Sequence, residues 1–153
     1  MTETSVYELY RAGEQHLADG AVRLAIQELE QAASIEPTAT GIQRLLARAY
    51  YKRAALGRAE AAARAVLEVS PADAETTHLL GRCLQRQGRR ADAAGWLRLA
   101  AAMDPRPEHV SYAAEAEPTA VVEDTGPFEL ALAGIAVAGD PAVVEEIAEV
   151  RAR

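Results

Sequence analysis

Stacked in three registers, 6–39, 40–73 and 74–107, the chain resolves into columns of small and apolar residues separated by polar ones. One column reads Ala12, Leu46, Leu80; the next reads Gly13, Ala47, Gly81; a third reads His16, Tyr50, Leu84. Further along come Ala25, Ala59, Ala93, then Leu29, Ala63, Leu97, then Ala32, Val66, Ala100. Each register ends near a proline, and Pro37, Pro71 and Pro105 stand 34 residues apart. Within a register the columns recur at the spacing of one helix side. A repeat of this length predicts stacked units of two antiparallel helices. The Gly13 and Ala25 columns predict close helix crossings, and the larger residues fill the gaps between them.

Local signals agree. Ser5-Val6-Tyr7-Glu8 has the form of a capping box and predicts a helix start. Gly20, Gly57 and Gly88 fall near the intra-unit turns, where a left-handed residue suits glycine. Glu36-Pro37, Ser70-Pro71 and Asp104-Pro105 break the chain between units. After Pro105 the pattern changes. Residues 107–116 predict a capping helix with Val110, Ala113 and Ala114 on one face. Residues 117–127, with Pro118 and Pro127, read as a linker. Residues 128–153 predict a short, acidic helical extension whose apolar stripe is Phe128, Leu132, Ile135, Val143, Ile147 and Val150. The stretch 128–138 also alternates like a strand.

The columns resemble the tetratricopeptide repeat: a small residue about eight positions in, a large one three later, alanine at twenty and proline at thirty-two. The resemblance covers residues 6–107. It implies an all-α helix–turn–helix solenoid of three repeats with a C-terminal solvating helix, so that residues 1–116 form the solenoid. It also implies that the first helix of each unit lines a concave binding face. Two departures stand out. The bulky column near the start of each unit holds Leu9, Gln43 and Thr77, and Ala63 replaces the usual large residue, so a looser middle repeat is expected.

Composition narrows the class. Half the chain is apolar and only 5% is aromatic, which suits closely packed, alanine-rich helices. Lys52 is the single lysine among 16 basic residues, a bias that points to a GC-rich bacterial genome. Cys83 is the single cysteine, so an internal disulfide and an all-cysteine metal site are excluded. The start, Met1-Thr2-Glu3-Thr4-Ser5, is polar and acidic, unlike a secretory leader, and no run approaches a membrane span. A cytoplasmic protein is expected.

Catalytic signals are sparse. His16, His78 and His109 lie in different units, and no phosphate loop, nucleophile elbow or zinc spacing occurs. His16 reads as a core histidine, Cys83 as a buried thiol and Trp96 as a structural residue covered by later segments. The reading is non-enzymatic, with no cofactor and no metal.

The groove carries more. The concave columns give Tyr7, Tyr10, Glu14 and Leu17 from the first unit; Arg44, Arg48, Tyr51 and Lys52 from the second; and Glu75, His78, Arg82, Gln85 and Arg86 from the third. From these, Tyr7, Tyr10, Arg44, Arg48, Tyr51, Lys52, His78, Arg82, Gln85 and Arg86 form the candidate peptide-binding set. A concavity of one sign concentrates an oppositely charged partner, and arginine forks onto carboxylates. The expected function is a protein-binding adaptor or scaffold that holds an acidic or extended peptide segment. Some relatives grip chaperone tails with a Lys, Asn and Arg clamp. The matching positions here, Tyr10, Glu14, Leu45, Glu75 and Leu79, hold none of these.

Charge is uneven along the chain. Residues 108–153 carry ten Asp or Glu and two Arg, within a total of −7. This acidic region could itself enter the groove, since the ten linker residues 118–127 reach at most about 33 Å. Alternative readings are a dedicated secretion-type chaperone and a structural dimeriser acting through the C-terminal hairpin. The acidic balance disfavours nucleic acid, and the sequence leaves the oligomeric state open.

Overall fold

The computed structural model describes residues 4–116, and these are built from helices and short turns. The helices are α1 (Val6–Ala18), α2 (Val22–Ile35), α3 (Thr40–Lys52), α4 (Leu56–Val69), α5 (Ala74–Arg86), α6 (Arg90–Met103) and α7 (Pro107–Ala116). The starts of α1, α3 and α5 fall at 6, 40 and 74, and those of α2, α4 and α6 at 22, 56 and 90. The period of the sequence is thus the period of the structure. Pairs α1–α2, α3–α4 and α5–α6 pack within units; α2–α3, α4–α5 and α6–α7 join one unit to the next. Helices α1, α3 and α5 also touch side by side, which makes them the lining of one face. The predicted linker, 117–127, and the acidic extension, 128–153, lie outside the described residues.

The columns are the core. Ala25, Ala59 and Ala93, Leu29, Ala63 and Leu97, and Ala32, Val66 and Ala100 are fully buried. The Gly13 column shows why it must be small. A Cβ on Gly13 would lie 2.5 Å from Cγ of Leu29, and one on Gly81 would lie 2.6 Å from Cγ of Leu97. The middle unit solves the same crossing with Ala47 opposite Ala63, both fully buried. The extra methyl of Ala47 returns part of the volume that Ala63 gives up. The short side chain at 63 is therefore one half of a matched pair.

The departures in the bulky column are satisfied locally. The Gln43 amide donates to the Pro37 carbonyl at 3.0 Å, and the buried Thr77 hydroxyl donates to the Asp73 carbonyl at 2.8 Å. The capping box forms as predicted: Glu8 N–H donates to Ser5 Oγ, and Ser5 N–H donates to the Glu8 carboxylate. Asp73 caps α5 in the same manner, accepting from Thr76 N–H at 3.1 Å.

Several expectations need correction. The left-handed turn residues are Gly20, Ala54 and Gly88, one per unit at the repeat period. Gly57 is not among them; it lies inside α4. His16 is half-buried and Leu17 is buried, so Leu17 belongs to the core and not to the groove. Helix α7 does pack on α6. Its inner face, however, carries His109 and Ala113, while Val110 is 48% exposed and Ala114 is exposed. His109 sets this rotation, because its ring stacks on His78 and its Nδ1 bonds the Asp104 carbonyl at 2.8 Å. Trp96 is half-buried against the core, with the Arg64 guanidinium of α4 lying 5.8 Å over its ring.

Candidate binding groove

The concave side contains a recess of about 270 Å³ between α3, α5 and the start of α7. The repeat period brings its walls together. Positions one helix turn apart on α3 and α5 point to the same side, and α7 continues the series as an unpaired first helix. Arg44, Arg48 and Lys52 enter from α3, Arg82 from α5 and Arg106 from the turn before α7. These five basic groups face two carboxylates, Glu75 and Glu108, with Tyr51, His78, Leu79 and His109 among the remaining lining.

The five cations are not equivalent. Arg44 is committed to Asp73, with Nε at 2.8 Å and a terminal nitrogen at 2.7 Å from the same oxygen. Asp73 therefore caps α5 and ties it to α3. Burial pushes this carboxyl up, but the Thr76 amide and hydroxyl, then Arg44, outweigh burial and hold it below the ordinary value. Arg106 pairs with Asp104 at 2.6 Å. Arg82 is held between two rings, 5.1 Å from Tyr51 and 4.5 Å from Tyr112, with Glu108 at 3.4 Å. Arg48 and Lys52 are exposed, and neither pairs with a carboxylate among the described residues. Lys52 Nζ reaches the Leu17 carbonyl only at 3.5 Å.

Of the candidate set, Arg44, Arg48, Tyr51, Lys52, His78 and Arg82 line this recess. Tyr7 and Tyr10 do not. They line a separate hollow of about 300 Å³ with Val6, Glu36, Ala39, Gly41 and Ile42. There Tyr10 lies against Gly41, and Tyr7 is 71% exposed. Arg86 bonds the Tyr51 carbonyl at 3.1 Å and lies 4.7 Å over its ring, bracing the wall from outside the recess; Gln85 is half-buried and also outside the lining. Glu14 pairs with Arg11 on the surface of α1.

Arg106, Glu108 and His109 are lining residues that the sequence columns did not assign. The available signal was the period itself: carried one unit past Arg82's repeat, it places a fourth first-helix beside α5.

Other chemistry is quiet. Cys83 is fully buried, and burial pushes its thiol up to about 11, so the reactive thiolate is suppressed. Among the described residues no group of three or more His, Cys, Asp or Glu is placed to hold a metal, and no helix is long and apolar enough to cross a membrane.

Solved structures with the same arrangement exist. The chain aligns with MamA from Desulfovibrio magneticus RS-1 at a TM-score of 0.72 and 17% identity, over 74% of this chain and 65% of that one. The first TPR of Spaghetti, bound to the HSP90 peptide SRMEEVD, aligns at 0.69 and 13% identity, over 76% of this chain and 93% of that one. A thermophilic TPR protein in Thermus thermophilus aligns at 0.62 and 23% identity, over 73% of this chain and 63% of that one. No protein-family model and no curated protein matches the chain. At these identities the likeness defines the fold alone: an all-α solenoid of tetratricopeptide-type helix pairs. This chain spans about two thirds of the MamA chain.

Proposed function

We propose that the chain is a non-enzymatic adaptor or scaffold that holds an acidic or extended peptide segment in the recess between α3, α5 and α7. One observation carries this reading: five basic side chains converge on one concavity, and Arg48 and Lys52 reach it exposed and without an intramolecular carboxylate partner among the described residues. Arg44 and Arg106 are held in short pairs with Asp73 and Asp104, whereas these two are left for a ligand. The hollow around Tyr7 and Tyr10 offers aromatic surface to a flanking stretch of the same segment.

The peptide-bound Spaghetti structure supports peptide binding on this fold. The residues used here would differ, since a Lys, Asn and Arg clamp has no counterpart at Tyr10, Glu14, Leu45, Glu75 and Leu79. The arginine bias favours a bacterial origin.

The test is affinity capture from cell lysate with two baits, the full chain and its Arg48→Glu/Lys52→Glu variant. Both positions are exposed, so the variant is expected to fold like the parent. A partner held by the first, lost from the second and released as salt rises is the expected result. Equal capture by both baits would place binding elsewhere on the molecule.

A further inference from the structure

His78 is an anomaly in the recess. It is 5% exposed, yet neither ring nitrogen has a hydrogen-bond partner among the described residues. An unsatisfied buried donor is costly, and structures rarely keep one without a use. The ring is fixed from two sides: stacked on His109 with centroids 4.4 Å apart, and edge-on to Tyr112 at 5.2 Å. Beside it, Tyr51 and Tyr112 hold the Arg82 guanidinium in place. Two preorganised donors therefore share one corner of the recess.

A carboxylate already hovers there. Glu108 Oε1 lies 3.4 Å from Arg82 and 3.7 Å from His78 Nε2, on a side chain that is 62% exposed. A well-made charge-assisted bond is about 2.7–2.9 Å long, as Arg44 and Asp73 show at 2.7 Å. Glu108 accepts one long hydrogen bond from Arg82 and lies too far from His78 to satisfy its ring nitrogen.

We propose that Arg82 and His78 form a subsite for one oxyanion of the bound segment, and that Glu108 stands in for that oxyanion in the free chain. The proposal rests on the groove reading and adds to it where the segment's charge is read. An incoming carboxylate would displace Glu108 outward, where Arg48 and Lys52 attract the rest of the ligand.

Protonation follows from the surroundings. Facing His78 are Arg44, Arg48 and Lys52 from α3, Glu75 and Arg82 on its own helix, Arg106 from the turn, and Glu108, His109 and Tyr112 from α7. Burial first, then His109, with Arg82 and Arg106 behind, lower its pKa to about 4 against the opposing pull of Glu108. The free ring is neutral at neutral pH. A bound oxyanion favours the imidazolium, so binding takes up a proton and tightens from about pH 7 to about pH 5.

The experiment titrates the full chain and its Glu108→Gln variant with three probes, following the histidine ring nitrogens by NMR. The probes are a hexaglutamate peptide blocked at both ends, the same peptide with a free terminal carboxylate, and inorganic phosphate. We expect Glu108→Gln to bind the blocked peptide about two- to five-fold more tightly, and the His78 resonances to shift on binding in both proteins. Binding of only the free-terminus peptide, or of only phosphate, with the same His78 response would support the subsite and assign its oxyanion to a chain end or a phosphoryl group. Peptide binding that responds to Arg48→Glu/Lys52→Glu but leaves His78 unmoved and is not improved by Glu108→Gln would overturn the subsite and leave the groove standing. No binding of any probe to either protein overturns it too, and lysate capture would then decide the groove on its own.

Discussion

Ala54 occupies the left-handed turn at a φ of 63°, where the equivalent residues of the other units are Gly20 at 78° and Gly88 at 79°. A Cβ in that region costs about 1–2 kcal/mol, partly offset by the ~0.4–1 kcal/mol that glycine loses through its freer unfolded chain. Ala54→Gly is therefore expected to stabilise the protein by about 0.5–1 kcal/mol, read as a higher urea midpoint. Gly81 is the opposite case. Its missing Cβ would lie 2.6 Å from Leu97 Cγ and 3.2 Å from the Leu97 backbone nitrogen. Gly81→Ala should destabilise despite its helix-propensity gain of ~1 kcal/mol. Combining it with Leu97→Ala rebuilds the Ala47–Ala63 pair of the middle unit, so the two effects should add to less than their sum in a double-mutant cycle. At this scale the register was legible and its occupants less so. Gly57 drew attention as a glycine near a turn, although the repeat period, counted from Gly20, points to position 54.

Polar groups staple several joints between helices. Tyr50 of α3 donates to Glu30 of α2 at 2.7 Å, and Arg58 of α4 reaches the same oxygen at 2.5 Å. Burial, then the bond to Glu30, push the Tyr50 hydroxyl up to about 12, so it stays a donor. Glu60 of α4 accepts from Gln87 and Arg89 at the α5–α6 turn, and Asp73 joins α3 to α5. The α5–α7 joint differs because it is made of histidines. His78 is held at a pKa of about 4, below its ordinary 6.5. The unfolded chain therefore binds this proton first, and the stability linked to neutral His78 is complete above 6.5 and lost as pH falls toward 4. Asp73 and Glu60 are both held below their ordinary values of 3.8 and 4.5, and each loses its share as pH falls below its ordinary value. A thermal midpoint that declines through the upper window, with a flatter decline in His78→Gln, is the expected pattern. The sequence foretold a helix at 107–116 with Val110, Ala113 and Ala114 on one face, and of these only Ala113 is buried. Val110 is the more apolar side chain, yet the facing histidine on α5 selected His109.

The stacked units depend on their last member. Helix α7 buries His109 and Ala113 and brings Tyr112 against the core. Truncation after Asp104 should cost on the order of 2–4 kcal/mol relative to truncation after Ala116, the burial of two or three side chains, and guanidinium titration of the two fragments measures it. Most of the recess was legible because side chains at equivalent positions of successive units share a face. Arg44, Arg48, Tyr51, Lys52, His78 and Arg82 were all found in this way. Which of those charges are spoken for was not legible, since Arg44 and Asp73, 29 residues apart, meet only when α3 and α5 stand side by side. The separation of Tyr7 and Tyr10 into their own hollow is likewise a matter of distance along the stack. The sequence by itself determined the helix pairs, their period and the small-residue crossings, because these follow from local periodicity and side-chain volume. Only the tertiary structure decided that Arg48 and Lys52 stand without carboxylate partners among the described residues while Arg44 is paired with Asp73, and that Glu108 is suspended between Arg82 and His78. Those facts depend on distances across neighbouring units, which no single repeat encodes.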